Sequence, residues 1–137
     1  MTKNQHYQYL IEMYQTAPIN DFFSPILTIS DQQASITMNV QSKFFHDKQY
    51  LHGSVFFKLL DDAAFFAAQS IEFDMFIVTA SFATTFIRPV NQGTLTATGT
   101  FITKTKNQYF ADSIITNDEN KIVAKGTGIF VKSTLSL

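Results

Sequence analysis

Within residues 3–16 the apolar positions Tyr7, Leu10, Ile11 and Tyr14 recur at i, i+3, i+4 and i+7, the spacing of a short amphipathic helix. Ala17-Pro18 closes it, because the residue before a proline is pushed out of the helical region. From Ala34 the period changes to two. Ala34, Ile36, Met38 and Val40 alternate with Ser35, Thr37 and Asn39, as in a half-buried strand. Asp31-Gln32-Gln33 reads as the turn from a preceding strand over 26–30. Residues 41–53 have no clean period, hold two of the three histidines and are predicted as a loop. Ser54 is a candidate N-cap for a helix over 55–70, where only Lys58, Asp61, Asp62, Gln69 and Ser70 are polar. A helix apolar on nearly all sides is a buried helix. Four β-rich runs follow, over 76–88, 94–104, 109–116 and 121–132. Asn91-Gln92-Gly93 and 117–120 are predicted as hairpin turns, and Pro89 as the end of the first run. The pattern predicts an α+β chain in which a long antiparallel sheet curls around one apolar helix.

Composition narrows the function. A chain of 137 residues implies one domain over 1–137. A net charge of −1 argues against a nucleic-acid partner, which calls for a basic excess. The absence of Cys excludes a disulfide scaffold, a thiolate metal site and a cysteine nucleophile, and three His form no evident metal cluster. Hydrophobic residues reach 45% and charged ones only 15%, with fifteen Phe. A small domain cannot hide that much apolar side chain in its own core. The excess is expected to face further copies of the chain and to line an apolar pocket. The N-terminal residues lack the apolar run of a signal peptide. Val55–Ala68 is too short and too interrupted by charge to span a bilayer, so no membrane partner and a cytoplasmic location are expected.

Two carboxylates sit inside the apolar helix. Asp62 shares a polar stripe with Lys58 (i−4) and Gln69 (i+7), the setting of a charge on a wet edge paired with Lys58. Asp61 has Phe57, Ala64, Phe65 and Ala68 around it and no cation on its stripe. A carboxylate there costs several kcal/mol unless compensated. It is either bonded to a backbone amide or a Ser/Thr hydroxyl from the sheet, or it is a base or nucleophile in an apolar pocket. At the helix start, free amides and the helix dipole around Gly53 can hold an oxyanion. His52 lies nine residues before Asp61, roughly 13 Å along the axis if helical. A site using both ends is easier to build when a second subunit completes it.

The run Leu51–Ala63 resembles the helix signature of PaaI-like hotdog-fold acyl-CoA thioesterases, L-H-G-G-x6-D-x-A, with Ser54 in place of the second Gly. The run Ser81–Pro89 resembles the family strand that ends in x-x-P, and the likeness covers roughly residues 20–132. The resemblance implies a hotdog fold: an antiparallel sheet wrapped around one long central helix, here with a short N-terminal helix. It implies Asp61 as the group that activates water or attacks the thioester, and the Gly53 amide as the oxyanion donor. His52 becomes the histidine that positions the thioester, and Thr79 a helper hydroxyl. It also implies a site at a dimer interface, with pairs of dimers common. One departure stands out. Relatives often carry Asn where this chain has His46, six residues before His52. An imidazole can donate the same hydrogen bond.

The reaction implied is hydrolysis of an acyl-CoA, with no metal and no cofactor beyond coenzyme A as part of the substrate. Phe57 and Phe65 are candidate acyl-pocket residues, and Arg88, Lys104 and Lys106 are candidate cations for the CoA phosphates. Two other readings stay open: hydration or dehydration of a 3-hydroxyacyl thioester through a His–Asp pair, and a non-catalytic acyl-CoA-binding protein.

Overall fold

The computed structural model describes residues 1–137. Two helices come first: α1 over Lys3–Gln15 and α2 over Ile19–Phe23. The strands β1 (Ile26–Ser30) and β2 (Gln33–Asn39) follow, and then the long helix α3 over Gly53–Gln69. The chain ends in β3 (Met75–Phe86), β4 (Thr94–Lys104), β5 (Gln108–Thr116) and β6 (Ile122–Ser136). The strands form a six-stranded antiparallel sheet in the order β1-β2-β4-β5-β6-β3, which leaves β1 and β3 as edges.

Helix α3 packs against β2, β4, β5, β6 and β3, and Leu59, Leu60, Ala63, Ala64, Ala67 and Ala68 lose all exposure there. The small residues let the helix lie close to the sheet. At Gly99 of β4 a side chain would collide with the Ala63 carbonyl, so the strand needs glycine to pass under α3. Ser113 Oγ donates to the Leu60 carbonyl at 2.8 Å and ties β5 to the same helix. The far end of α3 is held by Gln69 and Glu72. Gln69 bonds the Ile77 amide and the carbonyls of Glu72 and Met75, each at 2.9 Å. Glu72 accepts from the amides of Asp74 and Met75, from the Tyr109 hydroxyl and from Lys132. No helix is long and apolar enough to cross a membrane.

The periodicity located every strand and both long helices, and four details differ. A second short helix, α2, follows Pro18, and Asn20 secures it by donating to the Tyr14 carbonyl at 2.7 Å. The cap of α3 is His52 and not Ser54, because His52 Nδ1 accepts the Ser54 amide and the helix begins at Gly53. Asn91-Gln92-Gly93 is no hairpin. β3 pairs with β6 at the sheet edge while β4 pairs with β2 and β5, so this segment crosses from edge to interior. Gln69 leaves the stripe of Lys58 and Asp62, since its amide is needed to satisfy buried backbone groups.

Candidate active site

A cleft of about 660 Å³ opens between α1, α2, the middle of α3 and the start of β3. Phe57, Phe65, Phe66, Phe76, Ile77 and Val78 supply most of its apolar wall. Asp61 and Asp62 reach it from α3, and Thr79 reaches it from β3. The helical period turns Asp61 towards β3 and Asp62 towards α1, so adjacent carboxylates meet different partners.

Asp61 Oδ1 accepts a 2.8 Å hydrogen bond from Thr79 Oγ1. Burial pushes the Asp61 carboxyl up to about 6, the Thr79 bond pulls it down, Asp62 raises it and Lys58 lowers it. A carboxyl poised there is ionised near neutrality yet basic enough to take a proton. Asp62 is engaged otherwise. It pairs with Lys58 Nζ at 2.5 Å, as its spacing predicts, and accepts from the Tyr14 hydroxyl at 2.7 Å. Burial, the Asp62 charge and its hydrogen bond all raise the Tyr14 hydroxyl far above the ordinary phenol value, so it stays protonated and donates.

The start of α3 forms a second cluster. His52 Nδ1 accepts the Ser54 amide at 3.1 Å and meets Ser54 Oγ at 2.8 Å. An Nδ1 that accepts a backbone N–H leaves the proton of the neutral ring on Nε2. His46 is fixed the same way, its Nδ1 accepting the Lys48 amide at 3.0 Å. Phe45 and Leu51 form a bridge that folds the loop back, and His46 N–H donates to the Tyr50 carbonyl. Both imidazoles therefore offer an Nε2–H donor. The Gly53 amide donates to no group in the chain, and Gly53 is flanked by the Phe86 ring.

The structure thus gathers the sequence candidates into two groups. Asp61, Thr79, Phe57 and Phe65 line one cleft. His52 and Gly53 stand at the helix start and His46 in the loop before it, all three outside that cleft. The three candidate cations are not brought together. Arg88 lies beyond β3 with its guanidinium on the Ile122 carbonyl. Lys104 covers the Tyr109 ring at the other end of α3, and Lys106 is exposed in the β4–β5 turn. The cleft also holds residues that the sequence did not single out as site residues: Met13, Tyr14, Ile19 and Asn20 of the N-terminal helices. Only the apolar stripe through Tyr14 hinted that α1 packs near the carboxylates.

Residues 48–124 match the family model of the thioesterase superfamily. No curated protein matches the sequence. Among solved structures, the Escherichia coli PaaI protein, from the phenylacetic acid degradation operon, is 24% identical over 99% of both chains, with a TM-score of 0.88. A thioesterase of Haemophilus influenzae is 20% identical, with a TM-score of 0.80, over 91% of this chain and 88% of its own. A thioesterase of Staphylococcus aureus is 22% identical, with a TM-score of 0.78, over 85% of this chain and 100% of its own. These likenesses identify the six-stranded sheet and its central helix as a hotdog fold.

Proposed function

The chain belongs to the thioesterase superfamily, and from that premise we propose that it hydrolyses acyl-CoA thioesters to a free acid and CoA at a site shared by two copies of the chain. The observation that carries the reading is Asp61: a carboxyl raised to about 6, oriented by Thr79, in an apolar cleft large enough for an acyl group.

In this reaction Asp61 takes a proton from water as the oxygen attacks the thioester carbon. The carbonyl oxygen becomes an oxyanion and is held by the free Gly53 amide at the positive end of α3. The C–S bond then breaks, the carbonyl re-forms and the thiolate leaves with the proton from Asp61. Asp61 can alternatively attack directly, giving a mixed anhydride that water opens. The Nε2–H groups of His52 and His46 are donors for orienting the thioester.

Asp61 and Gly53 lie two turns apart on one helix, too far to serve a single carbonyl. An antiparallel partner solves this, because it sets the helix start of one copy against the helix middle of the other. Strand β3 offers the surface. It is a 12-residue edge strand whose outward amides and carbonyls have no neighbour, and it exposes Val78 and Phe86. Such an edge invites pairing with another strand.

The experiment is free-thiol release from short, medium, long and aryl acyl-CoAs. Turnover of at least one class is the expected result, and no release from any class would overturn the proposal.

A further inference from the structure

A buried imidazole ties helix α1 to the end of α3. His6 is 1% exposed, and its Nε2 lies 2.9 Å from the Gln69 carbonyl oxygen. A carbonyl only accepts, so Nε2 carries the ring proton and donates it. That leaves Nδ1 bare, and it is buried without any partner. The neutral ring fits this place. A second proton would go on Nδ1 and set a charged N–H where no acceptor stands, and a buried charge without a partner is costly.

The surroundings supply no counter-charge. Phe73 stacks on the imidazole, with ring centroids 4.1 Å and planes 15° apart. Its π face attracts a cation, but the in-plane Nδ1–H of a stacked ring runs past that face and gains no acceptor. Glu72 and Asp74 flank Phe73 in the chain. Glu72 is taken up by Tyr109, Lys132 and the amides of Asp74 and Met75. In the β1–β2 turn, Asp31 is turned to Lys3 at 3.5 Å, a pair more than half exposed on both sides that adds little hold on α1. On α1 itself the Tyr7 hydroxyl is buried and unpartnered. No carboxylate forms an ion pair with His6.

We propose that His6 is an acid-sensitive latch: neutral, it docks α1 on α3, and protonated, it releases the helix that carries Met13 and Tyr14 into the cleft wall. A free imidazole in water takes its second proton near pH 6.5. Any opening that brings the ring into water therefore gains up to about tenfold in population for each pH unit below that value.

Hydrogen exchange of the full chain, read by mass spectrometry at pH 7 and pH 5 and expressed as protection, tests the latch on wild type and His6→Gln. A glutamine amide can still donate to the Gln69 carbonyl but cannot ionise. In wild type the protection of α1 is expected to fall by roughly tenfold or more at pH 5, to a level below that of α3. In His6→Gln it is expected to hold. Protection of α1 that is equal at the two pH values, that falls as far in His6→Gln, or that matches α3 at pH 5 overturns the latch. The nitrogen resonances of the wild-type His6 ring decide the matter even if the variant does not fold. A neutral ring wherever α1 stays docked at pH 5 is the expected result, and a charged ring in the docked helix overturns the latch. Neither readout uses a thioester, so the latch and the hydrolase stand or fall separately.

Discussion

Thr79 Oγ1 donates a 2.8 Å hydrogen bond to Asp61 Oδ1, joining edge strand β3 to the middle of the central helix. This bond opposes the upward push of burial on Asp61. Replacing Thr79 by Val removes it and keeps the shape. The acid limb of the rate profile, expected near the Asp61 value of about 6, should then move up by as much as about one pH unit. Thr79→Ser should restore it. A pH profile of kcat/KM on the three proteins reads this out.

Asp61 also bears on stability. Its native pKa is raised from 3.8 to about 6, so the folded state holds the proton more tightly than the unfolded state. The stabilisation tied to that proton is complete below about pH 4 and is lost as pH rises through about 6. Asp61→Asn should therefore raise thermal stability near pH 7 by about 1–2 kcal/mol, discounted for partial exposure, and should change little near pH 4. Thermal unfolding at the two pH values checks the sign. Equal stabilities at neutral pH would show that the carboxylate is not strained.

At the other end of α3, Glu72 has the opposite character. Burial pushes it up, but the hydrogen bonds from Tyr109, Met75, Asp74 and Lys132 win and hold it near 2, against an ordinary 4.5. Its contribution is present above about pH 4.5 and is lost as pH falls towards about 2. Glu72→Gln is expected to cost about 1–3 kcal/mol at neutral pH, measured by urea unfolding, and to blunt acid unfolding. Thiol release should be little altered, because Glu72 does not line the cleft.

Much of this was legible in the chain. The period-two runs located the strands, and the apolar helix with two unequal carboxylates marked the helix that carries Asp61 and Asp62 into the cleft. For Asp61 the residues allow a Ser/Thr partner from the sheet or a base or nucleophile in an apolar pocket; Thr79 is that partner and an apolar cleft surrounds the carboxylate, while its part in the chemistry is the proposal made above. Strand order was not legible. Asn91-Gln92-Gly93 has good hairpin chemistry, yet β3 lies at the edge, and non-local pairing overrides a local turn signal. Gln69 misled for a related reason: two buried backbone groups and a half-buried one called for its amide, and no spacing along α3 encodes that demand. The role of α2 in walling the cleft was hidden because five residues are too few to show a period.

The proposal of a site shared by two copies makes the assembly testable. Wild type is expected to sediment with at least twice the 15.5 kDa of one chain. Phe86→Glu, on the exposed edge strand beside Gly53, should weaken association and lower activity although Asp61 is untouched. A fully active monomer would contradict a site built from two copies.

The most direct measurement is the rate of thiol release by wild type and Asp61→Asn, assayed side by side on the best acyl-CoA of the panel. Asn retains the shape and can still accept from Thr79, but it cannot take a proton from water or form an anhydride. A fall of at least about a hundredfold, in a protein that unfolds no earlier than wild type, is the expected result. Equal rates in the two proteins would remove Asp61 from the chemistry and the account with it.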